Sequence, residues 1–149
     1  MPAPRSVERL EETILRWKSD GIESVVSLLE PSEMPGLAEA EAELCAEFGL
    51  EFRAFPIRDK TVPPSLAAFA ELARQVAQQV ERGRAVAIHC RAGIGRSTTL
   101  AACVLICLGV DAEVALDMIA EARGVEVPET EVHRQWNLGC PNAARRLLP

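Results

Sequence analysis

The sequence predicts an α/β protein in which helices flank a compact, parallel-rich central sheet. Short β-branched or apolar runs, typical of buried strands, alternate along the chain with longer segments of helical period. Such alternation favours parallel strands joined by crossover helices. The 149 residues contain no internal repeat and no long Pro/Gly/Ser linker, so we expect one domain spanning residues 1–149.

Turn and cap residues divide the first third of the chain into four elements. Ser6 can cap the first helix, and Gly21 and Gly49 follow the two helical patterns, as glycine does at helix ends. The predicted elements are a helix over 6–18, a buried strand over 22–29, a helix over 35–48 and an alternating strand over 51–55.

A proline-rich connector over 56–64 precedes the remaining elements, because proline interrupts regular structure. Ser65 can cap the helix that follows, and Asp111 can cap a later one. The predicted elements are a helix over 65–82, a strand over 85–89, a buried helix over 97–108, a helix over 111–123 and a last helix starting near Pro128 or Glu129. The strand over 85–89 is apolar on both faces, so we place it at the centre of the sheet.

Charge and composition exclude several classes of function. The formal net charge of −6 is opposite to that of general nucleic-acid or anionic-membrane binders, so we expect neither partner. The longest apolar run, over 100–110, is too short to span a bilayer, and the first residues lack the apolar core of a signal peptide. We therefore expect a cytoplasmic protein that holds any anionic substrate through a local cluster of donors.

Five cysteines are present, an odd number without a CxxC pair, which argues against a disulfide framework. His89 and His133 lack the spacing of zinc ligands relative to these thiols, so we expect no metal and no cofactor. Cys45 and Cys140 could protect a reactive thiol by a reversible disulfide, but unreactive thiols are the favoured interpretation.

The stretch AVAIHCRAGIGRS, over residues 85–97, places a thiol between a buried strand and a buried helix. Alone, Cys90 could be a packing residue, a redox thiol, a metal ligand or a nucleophile. Gly93 and Gly95 allow successive N–H groups to turn inward, and the helix N-terminus adds partial positive charge. A thiol at such a position loses its proton readily, and Arg96 offers a planar fork for two oxygens. The stretch therefore predicts a cradle for a tetrahedral oxyanion above a thiolate.

Two other glycine-loop motifs do not fit this stretch. A Walker loop needs Gly-Lys before Ser or Thr, whereas here Arg96 stands between Gly95 and Ser97. A dinucleotide fingerprint needs a third glycine at the position occupied by Thr98.

The nonapeptide HCRAGIGRS, over 89–97, resembles the HCxxGxxR[ST] signature of cysteine-dependent protein tyrosine and dual-specificity phosphatases. The resemblance extends over almost the whole chain: 21–30 is similar to the early strand, 55–59 to the general-acid loop and 109–128 to the downstream helices of small dual-specificity members. It implies a protein tyrosine phosphatase-like fold of dual-specificity type, forming a single phosphatase catalytic domain.

The resemblance also implies a role for each residue of the motif. Cys90 attacks phosphorus, Asp59 protonates the leaving oxygen and later activates water, and Ser97 stabilises the departing thiolate. His89 orients the loop and tunes the thiol. The phosphate-binding loop consists of Cys90, Arg91, Ala92, Gly93, Ile94, Gly95 and Arg96, whose N–H groups and guanidinium hold the equatorial oxygens without a metal.

The expected substrate is a phosphorylated protein or an aryl phosphate, with phosphate, sulfate or vanadate as ligands of the same site. The chain has no tyrosine and so lacks the aromatic loop that deepens tyrosine-only pockets, which favours a shallow site for phosphotyrosine and phosphoserine/threonine. Lipid and inositol phosphatases often carry lysines in the loop, where Ala92 and Ile94 stand here. We expect a monomer. The alternatives are a catalytically weak phosphoprotein-binding pseudophosphatase and a rhodanese- or arsenate-reductase-like thiol enzyme.

The sequence departs from the family pattern at three places. Thr98 stands where a glycine is frequent, and Thr130 stands where a glutamine is frequent, with Gln135 nearby. Similar proteins also tend to begin with an extra strand before the first helix, and here Met1 lies almost at Ser6. The edge of the sheet is therefore the part of the fold that the resemblance predicts least well.

Overall fold

The computed structural model describes residues 1–144, with side chains described as far as residue 138. Within that range a short 3-10 turn at Val7–Arg9 comes first, three helices then alternate with three strands, and three more helices follow the last strand. The strands are β1 (Ile22–Ser27), β2 (Glu51–Ala54) and β3 (Ala85–His89). The helices are α1 (Leu10–Ser19), α2 (Leu37–Glu47), α3 (Leu66–Glu81), α4 (Arg96–Cys107), α5 (Ala112–Arg123) and α6 (Glu131–Ala144).

All strand pairs in the described sheet are parallel, in the order β2-β1-β3. This confirms the α/β class with a helix-flanked parallel sheet. The central placement of β3 is wrong, because β1 occupies the middle. Residues at the start of the chain lie along the outer edge of β3: Pro2 bridges Cys90, and the nitrogen of Met1 donates to the Ile88 carbonyl at 2.7 Å. With helices on its faces, β3 is apolar without being central.

Two apolar clusters hold helices against the sheet. One joins α1 and α2 to the sheet and includes Leu10, Ile14, Trp17, Val25, Leu37, Cys45 and Ala87. The other joins α3 and α4 to it and includes Val26, Phe69, Leu72, Val76, Leu100 and Cys103. Each fully buried Leu, Ile or Phe contributes about 1.5–3 kcal/mol of transfer free energy, so these contacts supply the main stabilisation of the layers.

Two of the three predicted helix caps form. Ser65 Oγ accepts from the Ala68 N–H at 3.2 Å at the start of α3, and Asp111 Oδ1 accepts from the Glu113 N–H at 3.0 Å at the start of α5. Ser6 makes no side-chain cap bond, because the 3-10 turn lies between it and α1. Among the described residues, we find no helix with the length and hydropathy needed to cross a membrane.

The carboxyl ends of the parallel strands lie along one edge of the sheet. The loops that follow β1, β2 and β3 therefore leave the sheet on the same side, as in other parallel α/β folds. These three loops carry the residues that form the site described next.

Candidate active site

The loop between β3 and α4 depends on its glycines. Gly93 has φ +76°, and a Cβ there would lie 2.3 Å from the carbonyl carbon of Met1. Gly95 stands at the N-cap of α4, where a Cβ would lie 3.1 Å from Glu129 Oε2 and 3.2 Å from His133 Cε1. Only glycine meets both the backbone and the space requirement at Gly93.

The amide groups of this loop are available to an anion. Among the described residues, the N–H groups of 91–95 donate to no backbone carbonyl or side chain. They lie at the N-terminus of α4, whose dipole adds partial positive charge. The loop thus has the donors that the sequence predicts for a phosphate site.

Cys90 lies at the base of the loop, with only 2% of its surface exposed. Its Sγ is 3.4 Å from the Ser97 hydroxyl in the first turn of α4, and Ser97 is itself buried. The strand-to-helix connection therefore brings together the predicted nucleophile and the hydroxyl predicted to stabilise it. Once the thiol is ionised, the same hydroxyl can donate to sulfur.

Arg96 reaches from α4 across the ends of β1 and β2. Its Nη1 donates to the carbonyls of Ile57 at 2.8 Å and Leu28 at 3.4 Å. Its two terminal nitrogens also contact both oxygens of Glu33. Burial opposes the positive charge, but the hydrogen bonds and charge of Glu33 outweigh it and raise the pKa of Arg96 above its ordinary value.

Glu33 is a site residue that the sequence analysis missed. It lies in the loop after β1 and accepts Nη1 of Arg96 at 2.6 Å and Nη2 at 2.8 Å. The hydrogen bond from Arg96 holds the pKa of this carboxyl below its ordinary value, against the effect of burial. Its one sequence signal is its place after a buried parallel strand, which it shares with many loop glutamates.

Asp59 stands over the loop with its side chain 44% exposed. Its Oδ1 lies 2.9 Å from Nη2 of Arg96 and accepts the Lys60 N–H at 3.0 Å. Lys60 has φ +57° in the turn that presents the carboxylate. The structure therefore places Asp59 beside the phosphate loop, as the sequence predicts, and in contact with the arginine.

His89 points away from the site, to the other face of the sheet. It is fully buried, with Nε2 2.8 Å from Glu41 Oε1 and its ring centroid 5.9 Å from that of Trp17. The side chain of His89 therefore packs against α1 and α2 and not over the phosphate loop.

The start of α6 connects the phosphate loop to the segment that carries Asp59 and Thr61. Thr130 Oγ1 lies 2.6 Å from His133 Nδ1, and His133 Nε2 donates to the Thr61 carbonyl at 2.9 Å. The N–H of Glu129 donates to the Ile94 carbonyl at 2.8 Å. Thr130 is thus a structural residue where a glutamine was expected, and the sequence analysis did not predict the role of His133.

The other departures from the family pattern occupy ordinary positions. Thr98 is 2% exposed within the first turn of α4 and fits there. Gln135 is exposed on α6 and donates to Glu131.

Burial, followed by the charge of Glu41, raises the pKa of the Cys45 thiol to about 12, so its thiolate is not formed at neutral pH. The side chain of Cys140 lies outside the described residues.

Together these groups can perform displacement at a tetrahedral phosphorus. A thiol, a fixed guanidinium, unpaired N–H donors and a partly exposed carboxyl group lie on adjoining loops. Among the side chains of residues 1–138, no three metal-ligating groups are close enough to hold an ion.

Comparison with known proteins identifies the family of the chain. The family model described as polymorphic toxin system, DSP-PTPase phosphatase, matches residues 1–110. The PRL-1 phosphatase of Drosophila melanogaster is 31% identical over 112 residues, which cover 74% of this chain and 59% of that relative. The phosphatidylglycerophosphate phosphatase PTPMT2 of Arabidopsis thaliana is 31% identical over 91 residues, which cover 61% of this chain and 38% of that relative.

A solved structure of kinase associated phosphatase, with serine in place of its catalytic-site cysteine, superposes with a TM-score of 0.78 at 23% identity. The superposition covers 93% of this chain and 79% of that one, so the likeness in fold extends well beyond the loop. The family match covers most of the chain and includes both Cys90 and Asp59. The chain therefore belongs to the DSP-PTPase phosphatase family that the polymorphic toxin model describes.

Proposed function

We propose that this protein hydrolyses phosphomonoesters through a cysteinyl-phosphate intermediate on Cys90. The observation that carries the proposal is the cluster at the phosphate loop, where Cys90 contacts Ser97 and Arg96 contacts Asp59. A phosphate-binding module has no need of a thiol or an acid, which disfavours a pseudophosphatase. A rhodanese- or reductase-like enzyme would not need Asp59 on the arginine.

In the first half-reaction, the dianionic phosphoryl group of the substrate binds to the loop N–H groups and the guanidinium of Arg96. In the free site Asp59 Oδ1 contacts Nη2 of Arg96. A phosphoryl oxygen that binds Nη2 therefore displaces the carboxyl group of Asp59, which moves toward the leaving group. The thiolate of Cys90 attacks phosphorus while the protonated carboxyl of Asp59 donates its proton to the leaving oxygen. The P–O bond breaks as the S–P bond forms, and the alcohol or phenol departs.

In the second half-reaction, water attacks the phosphorus of cysteinyl-phosphate. The carboxylate of Asp59 takes the proton from this water, which restores the acid for the next cycle. The S–P bond breaks, inorganic phosphate leaves, and Cys90 departs as a thiolate that accepts the Ser97 hydroxyl proton in a hydrogen bond. The distance of 3.4 Å between Sγ and Oγ supports this role.

Phosphorylated protein or aryl phosphate is the proposed substrate class. The site lies at the surface, and the side chains of Arg58, Lys60 and Arg91 beside it are exposed on an otherwise acidic protein. These cations suit the acidic surroundings of many phosphopeptides. Phosphatidylglycerophosphate is the second candidate substrate, because a relative carries that activity in its name.

A reducing compartment suits the proposed chemistry because oxidation of a nucleophilic thiol abolishes its reactivity. A cytoplasmic site of action therefore remains our proposal. If the chain acts as the phosphatase of a polymorphic toxin, as the family description suggests, the cytoplasm of a target cell satisfies the same condition.

The proposal is tested by hydrolysis of an aryl phosphate, with and without vanadate. The wild-type protein should turn over the substrate and be inhibited by vanadate. Cys90→Ser should be inactive, whereas Cys107→Ser, which changes a thiol at the other end of α4, should be active. Phosphopeptides and phosphatidylglycerophosphate are compared by kcat/KM.

Two results would contradict the proposed mechanism, and a third would contradict only the proposed substrate class. A folded wild-type protein without turnover of any of the three substrate classes would favour a binding role. A fully active Cys90→Ser variant would exclude the cysteinyl-phosphate route. A larger kcat/KM for phosphatidylglycerophosphate than for phosphopeptides would replace the proposed substrate class while leaving the mechanism intact.

A further inference from the structure

A carboxylate and an imidazole meet in the apolar interior on the side of the sheet opposite the phosphate loop. Glu41 on α2 and His89 at the end of β3 are both 0% exposed, and Oε1 lies 2.8 Å from Nε2. Forty-eight residues separate them in sequence, so the contact depends on the packing of α2 against the sheet. His89 is the residue immediately before Cys90.

A contribution to the stability of the fold does not explain why this buried pair is present. Glu41 lies on the apolar stripe of α2, one turn after Leu37 and one turn before Cys45, within a cluster of buried side chains. Glu41 Oε2 and His89 Nδ1 have no hydrogen-bond partner among the described residues. Apolar residues of similar volume commonly replace such buried pairs without loss of stability. A carboxylate kept here therefore calls for another reason.

His89 links the pair to the phosphate loop through the backbone. Its carbonyl accepts the Leu28 N–H at 2.9 Å, and the carbonyl of Leu28 in turn accepts from Arg96. A change in the position of the imidazole would therefore move the base of the loop as well as Cys90. The ring is held on its other side by Trp17.

We propose that Glu41 is a positioning residue that acts on Cys90 through His89. The carboxyl group of Glu41 hydrogen-bonds the imidazole and fixes its orientation, which holds the backbone of His89 and Cys90 in place and keeps the N–H groups of the phosphate loop where they favour the thiolate. This inference rests on the proposed nucleophilic role of Cys90.

Other charged and titratable groups face this region and must be kept constant in any test. Cys45 on α2 lies next to Glu41, whose negative charge adds to burial in raising the pKa of that thiol to about 12. Cys90 itself faces the guanidinium of Arg96 and the amino group of Met1. From α1 the pair meets Trp17, which does not titrate.

The test compares Glu41→Gln, His89→Asn and the double variant, with Glu43→Gln as control. Glu43 is exposed on the same helix, so its replacement removes one negative charge without touching the pair. The first measurement is the rate of Cys90 alkylation by iodoacetamide across pH, followed by mass spectrometry of the Cys90 peptide. The second measurement is kcat and KM for an aryl phosphate.

For Glu41→Gln we expect a folded protein whose alkylation midpoint rises by about one pH unit, which corresponds to a tenfold smaller thiolate fraction below the midpoint. At neutral pH the loss should fall mainly on kcat. Glu43→Gln should match the wild type, and the double variant should match His89→Asn alone, because Glu41 acts through His89. If Glu41→Gln does not fold, Glu41→Met, which suits the apolar cluster, carries the same measurements.

An unchanged alkylation midpoint in a folded Glu41 variant would overturn the proposal, as would effects of Glu41→Gln and His89→Asn that simply add. The alkylation measurement does not require turnover. A wild-type protein that hydrolyses nothing would therefore contradict the proposed function, while the alkylation midpoints would still decide the role of Glu41.

Discussion

Glu33 holds the guanidinium of Arg96 from behind, with Nη1 2.6 Å from Oε2 and Nη2 2.8 Å from Oε1. Both side chains are largely buried, at 8% and 2% exposed. Two parallel hydrogen bonds fix the plane of the guanidinium, a property that a lysine would lack. The loop after β1 therefore sets the direction in which Arg96 can meet a phosphate.

Glu33→Gln should reduce catalysis by weakening this fixation. One of the two charged hydrogen bonds becomes a contact with an amide that repels the guanidinium N–H, so we expect kcat/KM to fall by about tenfold to a hundredfold, the equivalent of about 1.5–3 kcal/mol. Steady-state kinetics with an aryl phosphate measures the change. Glu39→Gln, on the exposed face of α2, is the control and should match the wild type.

The lowered pKa of Glu33 also predicts how the free energy of unfolding depends on pH. Its pKa is lowered in the folded protein, chiefly by the hydrogen bond from Arg96, so the folded state favours the carboxylate. The resulting stabilisation is fully present above the ordinary glutamate pKa and is lost as pH falls through the lower folded value. Urea unfolding from neutral to acid pH should show a shallower loss in Glu33→Gln than in the wild type. An equal loss of unfolding free energy in the two proteins as pH falls would contradict this link between the pKa of Glu33 and stability.

The arrangement of the phosphate loop could be predicted because its residues lie close together in the sequence. Cys90, Gly93 and Arg96 lie within seven consecutive residues, and a buried strand and helix on either side fix their arrangement. The helix and strand pattern also predicts most elements, since apolar period and cap residues act locally. Ser65 and Asp111 cap their helices as expected.

Contacts between distant segments could not be predicted in this way. Glu33 meets Arg96 across 63 residues, and His133 meets Thr61 across 72. Neither has a motif around it, because each depends on which loops the parallel sheet brings together. The edge position of β3 was missed for a similar reason: an apolar strand covered by helices has the same sequence whether or not strands lie on both sides.

Asp59→Asn should remove the proton donor while leaving the binding groups in place. We expect kcat to fall by about 10²–10⁴-fold for substrates with poor leaving groups, the range typical of a general acid. The decline in rate at high pH that a general acid produces should also vanish. pH–rate profiles with a series of aryl phosphates measure both effects. With the most acidic phenol, the variant should approach the wild type, and an unchanged high-pH decline would indicate another acid.

Ser97→Ala should slow the breakdown of the cysteinyl-phosphate more than its formation. The hydroxyl lies 3.4 Å from Cys90 Sγ, and in the proposed mechanism it stabilises the thiolate as it leaves in the second half-reaction. Losing one hydrogen bond to a charged group costs about 1.5–3 kcal/mol, so we expect breakdown to slow by about tenfold or more. Rapid mixing should then show a burst of phenol followed by a slower steady rate. A uniform decrease without a burst would mean that Ser97 acts before the intermediate forms.

Gly93→Ala tests whether the loop needs glycine for space as well as for conformation. Gly93 and Gly109 both have positive φ, +76° and +92°, so alanine introduces backbone strain of about 1–2 kcal/mol at either position. At Gly109 nothing lies within 4 Å of the new Cβ, whereas at Gly93 it would lie 2.3 Å from a backbone carbon of Met1.

Gly93→Ala should therefore lose clearly more unfolding free energy than Gly109→Ala. It should also weaken vanadate binding, because the loop N–H groups must shift with the backbone. Equal destabilisation by the two substitutions, measured by urea unfolding, would show that the start of the chain does not press on the loop.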